Sequence, residues 1–142
     1  MNVTGRIESG RGEAAYFTSI AWVMTGIERH AGFSPFPGTL NVRIPPDEVK
    51  TLKQLFAAKD FQLIPDDPRL CSASFKHVWV HGIRCVTVFP QEEARVHGED
   101  LIEIIAACHL KRVLGLSDGD SITVSGAPGE AGVIQPVKVW SR

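Results

Sequence analysis

Two short runs carry residue types whose spacing suits chemistry on a phosphorylated ligand. The first is Ser9-Gly10-Arg11-Gly12-Glu13-Ala14-Ala15-Tyr16-Phe17, and the second is Gly32-Phe33-Ser34-Pro35-Phe36-Pro37-Gly38-Thr39-Leu40-Asn41-Val42. Glycines at positions 10 and 12 allow positive φ and close approach of backbone to a ligand. Successive amides in such a turn can form a nest around an anion. Thr39 and Asn41 set a hydroxyl and an amide oxygen two residues apart, on one side of a short extended segment. A hard cation such as Mg²⁺ takes oxygen ligands, one or two from protein and the rest from water and phosphate. Together the two runs point to a polyphosphate with its metal ion, and so to phosphoryl transfer. Each signal is weak alone. Gly-x-Gly is neither GxxxxGK[ST] nor GxGxxG before a helix, and no Walker-type lysine follows. On spacing alone, turn hydrogen bonds after Gly38 are the better account of Thr39 and Asn41.

A third candidate is Glu103, set in the apolar run Leu101-Ile102-Glu103-Ile104-Ile105. A carboxylate in an apolar wall suits a binding group or a base, and the plainer alternative is a solvent-facing glutamate. The histidines, His30, His77, His81, His97 and His109, form no HxH or HExxH pattern, which argues against imidazole-bound metal. His97 draws notice because it precedes the Glu103 run.

The elements that must position these residues read as mixed α and β. Val3–Glu8 is expected as a strand that ends at the Gly-rich turn. Residues 19–30 have Ile20, Val23, Met24 and Ile27 at helical spacing, with Gly32 where a cap belongs. Residues 39–44 alternate as a strand, with Leu40, Val42 and Ile44 on one face and Thr39, Asn41 and Arg43 on the other. Pro45-Pro46 ends it, and 47–59 reads as a helix with Val49, Leu52, Leu55 and Phe56 inward. Residues 72–81 and 83–89 flank His81-Gly82 as a hairpin. Residues 101–114 are expected as one helix, capped by Asp100 and ended by Gly115. Lys111 and Arg112 near its end complement the helix dipole. Residues 121–125 and 133–140 read as strands around a Gly/Pro loop. Strands and helices without regular alternation argue against a doubly wound sheet and for a small barrel with peripheral helices.

The 142 residues are enough for one domain with a real core, and the composition, 44% hydrophobic and 22% charged, is that of a globular protein. A net charge of −1 argues against nucleic acid as a partner. No apolar run is long enough to span a bilayer, and the N-terminus has no apolar signal region. Cys71, Cys85 and Cys108 lack CxxC spacing, which fits a reducing cytoplasm and small buried hydrophobes.

Ser9-Gly10-Arg11-Gly12-Glu13 with Tyr16-Phe17, Gly32-Phe33 with Pro35, and Gly38-Thr39-Leu40-Asn41 closely resemble the archaeal-type CTP-dependent riboflavin kinases. So do His97, Leu101-Ile102-Glu103-Ile104-Ile105-Ala106, Leu110, Leu116 and Asp118-Gly119-Asp120, all in family order over roughly residues 3–125. The stretch from Pro45 to Leu70 matches poorly, and residues 126–142 read as a C-terminal extension packed on a single domain. The resemblance implies a mainly β, six-stranded cradle-loop barrel with peripheral helices. It also implies transfer of the γ-phosphate of CTP, with Mg²⁺, to the ribityl 5′-hydroxyl of riboflavin, giving FMN and CDP. Gly10, Arg11, Gly12, Glu13, Ala14 and Ala15 match one nucleotide segment, and Cys108, His109, Leu110 and Lys111 a second. Thr39 and Asn41 match the Mg²⁺ ligands. Glu103 matches a flavin-contacting glutamate, with Arg95 and His97 as further substrate-side candidates; as the group taking the hydroxyl proton, Glu103 is a candidate by its chemistry alone. Three positions depart from the family pattern. Ala14 replaces a usual glycine, Lys111 a usual arginine, and Arg95 stands about where a flavin-contacting threonine is expected. They leave open the same barrel acting on another alcohol, or a non-catalytic nucleotide or flavin binder. The expected partners are small molecules, without nucleic acid or membrane, for a monomer or small homo-oligomer.

Overall fold

A computed structural model describes residues 1–9, 21–69, 72–90 and 100–129. Its strands are β1 (Asn2–Glu8), β2 (Leu40–Arg43), β3 (Phe61–Leu63), β4 (Ala73–Val80), β5 (Ile83–Pro90), β6 (Leu101–Ile105) and β7 (Ser121–Ser125). Its helices are α1 (Ala21–Ala31), α2 (Val49–Leu55, entered through a 3₁₀ turn at Pro46–Glu48) and α3 (Leu110–Leu114). All strand pairs are antiparallel, in the order β3-β4-β5-β6-β2-β1-β7. The Trp79–Ser125 pair joins β4 to β7 and closes six of the strands into a barrel. Closure joins the two edges of the six-stranded wall, which would otherwise invite association, while β3 pairs with β4 alone among the described residues. The mainly β barrel with helices outside is thus the fold that the sequence predicted.

The interior is filled from every wall. β1 contributes Val3 and Ile7, β2 Leu40 and Val42, β4 Val78 and Val80, β5 Cys85, β6 Ile102 and Ile104, and β7 Ile122 and Val124. Leu52, Leu55 and Phe56 of α2 and its end pack on the same cluster. Between Val3 and Ile7 lies buried Gly5, where a Cβ would stand 2.4 Å from the Arg43 carbonyl oxygen and 2.8 Å from Val42 Cγ1. A side chain is excluded there by the closeness of β1 to β2. A second cluster lies outside the barrel. Val23, Ile27 and Ala31, at helical spacing on α1, cover Leu63, Ala73, Phe75, Val86, Val88 and Ile105. The β4–β5 hairpin therefore buries apolar residues on both faces. Its tip takes positive φ at His81 (51°) and Gly82 (81°), the handedness that suits a two-residue hairpin turn.

The expected helix over 101–114 is corrected by the structure. Residues 101–105 are β6, and only Leu110–Leu114 is helical. The reason is burial on both sides: Ile102 and Ile104 face the barrel interior, Ile105 faces the α1 cluster, and β2 and β5 flank the strand. A strand buried on both faces reads as a continuous apolar run, which periodicity does not separate from a helix. Its isoleucines favour the pleated form. Asp100 is accordingly not a helix cap; it lies in a turn whose carbonyl accepts from the Ile44 amide at 2.7 Å. The helix expected over 47–59 is also shorter, ending at Leu55, and β3 has no counterpart among the expected elements. The expected strand over 133–140 lies outside the described residues. Among the described residues no helix is long and apolar enough to cross a membrane.

Candidate functional site

The site is organised by β2. Asn41 pairs with Glu8 of β1 on one side and with Glu103 of β6 on the other. Directly paired residues project from the same face of a sheet, and here that is the face opposite Leu40 and Val42. The same row continues from Glu103 to Val88 on β5, Phe75 on β4 and Phe61 on β3. It runs from carboxylate and amide at one end to aliphatic and aromatic at the other, with Glu103 at the junction. Glu103 is therefore on a strand and not on a helix.

Asn41 is only 9% exposed, unusual for an amide on the outer face of a barrel. The Thr39 hydroxyl donates to its Oδ1 at 3.1 Å, so the two oxygens face one another. Neighbouring ligand oxygens of an octahedral Mg²⁺ lie about 2.9 Å apart, which this separation nearly matches. The donor set is also of the right chemistry, neutral hard oxygens that leave room for phosphate and water. Among the described residues no group of three or more His, Cys, Asp or Glu could hold a metal. A site drawing two oxygens from Thr39 and Asn41 needs no such cluster.

The second predicted segment comes to the same place. Gly38, Thr39, Leu40, Ile104, Cys108, His109, Leu110 and Lys111 line one cavity of about 220 Å³, with Phe36, Pro37 and Ala106 completing it. The Phe36 amide donates to the Ala106 carbonyl at 2.8 Å, and the Phe36 ring meets His109 edge-on at 5.4 Å. His109 caps α3, its Nδ1 accepting from the Arg112 amide at 3.2 Å. Glu103 does not line this cavity, because it alternates with Ile104 along β6. Partial burial pushes the Cys108 thiol up from its ordinary pKa, so it offers a neutral contact and not a nucleophile.

An ionic link joins this cavity to the end of β1. Lys111 Nζ donates to Asp118 Oδ1 at 2.8 Å, and the Ser9 hydroxyl donates to Asp118 Oδ2. Lys111 first, and Ser9 second, hold the Asp118 carboxyl below its usual value. The Ile7 amide donates to the Asp120 carbonyl at 2.9 Å, and the Gly119 amide to the Ile7 carbonyl at 2.7 Å. Ser9, whose chain neighbour is Gly10, is thereby tied to Lys111. The candidates Gly10, Arg11, Gly12, Glu13, Ala14 and Ala15, and Arg95 and His97, lie outside the described residues.

The sequence reading gave no site role to Arg43, Glu8 or Asp118, which the structure places beside Asn41 and Lys111. Arg43 donates from Nε (3.1 Å) and Nη2 (2.7 Å) to Glu8, and from Nη1 (2.9 Å) to Asp100. Its hydrogen bonds lower the Glu8 pKa, and Glu8 raises that of Arg43. The available signal was its position two residues beyond Asn41, on the same strand face.

The model of a family called CTP-dependent riboflavin kinase (domain of unknown function DUF120) matches residues 7–125. The chain belongs to this family. Residues 7–125 of this chain include every candidate site residue placed above. Among curated relatives, a riboflavin kinase of Methanoculleus marisnigri is 36% identical over 126 residues, covering 86% of this chain and 55% of the relative. A riboflavin kinase of Pyrobaculum arsenaticum is 32% identical, covering 87% of this chain and 60% of the relative. For one of Methanobrevibacter smithii the figures are 30%, 87% and 98%. The chain thus spans a little over half the length of the first two and nearly all of the third.

Proposed function

We propose that the protein is a CTP-dependent riboflavin kinase that forms FMN and CDP, acting as a single domain on small-molecule substrates in the cytoplasm. One observation carries the reading: Thr39, whose hydroxyl donates to Asn41 Oδ1, lines one cavity together with the Cys108–Lys111 turn, within a chain of the riboflavin kinase family.

In this reading Gly10–Ala15 and Cys108–Lys111 hold CTP, with Lys111 near its negative charge and His109 and Phe36 shaping the cavity. Thr39 and Asn41 hold Mg²⁺, which when bound neutralises phosphate charge. Glu103, at the edge between the polar and apolar halves of the row, contacts the flavin. The ribityl 5′-oxygen attacks the γ-phosphorus of CTP. The bond from that phosphorus to the β,γ-bridging oxygen breaks, its electron pair leaves with CDP, and the hydroxyl proton is released. Glu103 is the candidate to receive it. Such transfer asks mainly for alignment and charge neutralisation, which backbone amides, Lys111 and the oxygen pair can provide.

The test is incubation of the purified protein with riboflavin, Mg²⁺ and either CTP or ATP, following FMN by chromatography. FMN from CTP and not from ATP is expected. Binding of CTP without FMN would overturn riboflavin as acceptor and turn attention to other alcohols, with Arg95 the residue to examine first.

A further inference from the structure

β1 places an acidic side chain directly beside the neutral oxygen pair of β2. Glu8 is the direct register partner of Asn41, and their Cβ atoms are therefore roughly 5 Å apart on the same face. A carboxylate at that spot would repel a polyphosphate, and its hard oxygens would compete with phosphate for a cation held by Thr39 and Asn41. The Glu8 carboxylate is instead turned along the strand to Arg43, which grips both of its oxygens, at 3.1 and 2.7 Å. The remaining arm of the same guanidinium takes Asp100 at 2.9 Å. A planar fork matched to a carboxylate holds orientation as well as charge.

We propose that Arg43 is a positioning residue that keeps the Glu8 carboxylate off Asn41, so that an anionic nucleotide and its cation can occupy the Thr39–Asn41 oxygens. Arg43 touches neither substrate nor the reacting atoms in this role. The side chains of Arg43 and Glu8 are 39% and 38% exposed. An ion pair so exposed adds little to stability, so its effect is carried by ligand binding. The inference rests on the reading of Thr39 and Asn41 as the cation-holding pair.

Three variants of the full chain test it: Arg43→Met, Glu8→Gln and the double variant. The readouts are binding of CDP with Mg²⁺ by calorimetry, KM for CTP and for riboflavin, and the thermal midpoint. Arg43→Met is expected to weaken CDP binding and raise KM for CTP about tenfold, as an uncompensated charge nearby would. Its thermal midpoint stays within a few degrees of the parent, and KM for riboflavin stays near the parent value. Adding Glu8→Gln is expected to restore CDP binding, because the offending charge is gone. Unaltered CDP binding in Arg43→Met, or a double variant no better than Arg43→Met, overturns the inference and leaves Arg43 a structural tie. Parent protein that binds no CDP removes the reading of the site together with the inference. Parent protein that binds CDP, with variants that do not respond, removes the inference alone.

Discussion

Asn41 and Glu103 stand directly opposite one another on β2 and β6, and Val88 lies just beyond Glu103 on β5. The pairing puts an amide and a carboxylate side by side on one barrel face. A phosphate acceptor whose polar hydroxyl end and flat apolar end must be held at once would fit along that row.

Changing both Thr39 and Asn41 to Ala is expected to lower FMN formation at least about a hundredfold, the scale for losing preorganised charge stabilisation. The barrel remains folded, with a stability loss of about 1–2 kcal/mol for the buried amide. Rate assays and circular dichroism on the same sample check both parts. Turnover retained at ordinary Mg²⁺ would sink the metal assignment.

Glu103→Gln keeps the shape and removes the charge. If Glu103 binds the flavin, KM for riboflavin rises roughly tenfold or more, the scale for a hydrogen bond to a charged group, while KM for CTP stays put. Steady-state kinetics with each substrate varied in turn separates the two. A rise in KM for CTP alone would move Glu103 to the nucleotide side.

Gly5→Ala should destabilise the barrel by about 2 kcal/mol or more, because overpacking between β1 and β2 has no soft neighbour to yield. The obstacle at 2.4 Å is the backbone oxygen of Arg43. Urea unfolding measures the loss, and a midpoint equal to that of the parent would show that the strands can part.

Asp118 should shape the acid limb of stability. Its folded pKa lies below the ordinary 3.8, chiefly through Lys111. A carboxylate with a depressed folded value adds stability above its unfolded pKa and loses it as pH falls through the folded one. Asp118→Asn should therefore flatten the urea midpoint against pH below about 4 and leave its slope near neutrality unaltered. An acid limb as steep as that of the parent would assign the effect to other carboxylates.

Much of this was legible in the sequence, for physical reasons. Residues 39–44 alternate cleanly because one face of β2 packs the interior and the other is polar, so alternation alone groups Thr39, Asn41 and Arg43. His81-Gly82 marks its hairpin because few residue pairs tolerate two positive φ values in succession. Residues 101–105 deceive because both faces of β6 are buried and alternation vanishes. The three residues of β3 are too few to show a period. The link from Ser9 to Asp118 and Lys111 spans |i−j| = 109 at its longest, and no local pattern announces a contact of that range.

The two ends of β1 have different neighbours. At one end Asn2 pairs with Ser125, and the Met1 carbonyl accepts from the Gly126 amide at 3.0 Å. At the other, Glu8 and Ser9 lie against Asn41 and Asp118. Seven residues of strand separate them, roughly 20 Å of travel. A label attached at the Met1 end of β1 would thus sit at the pole of the barrel away from Ser9, and a surface that captured it would leave the cavity lined by Thr39 and Lys111 facing solution.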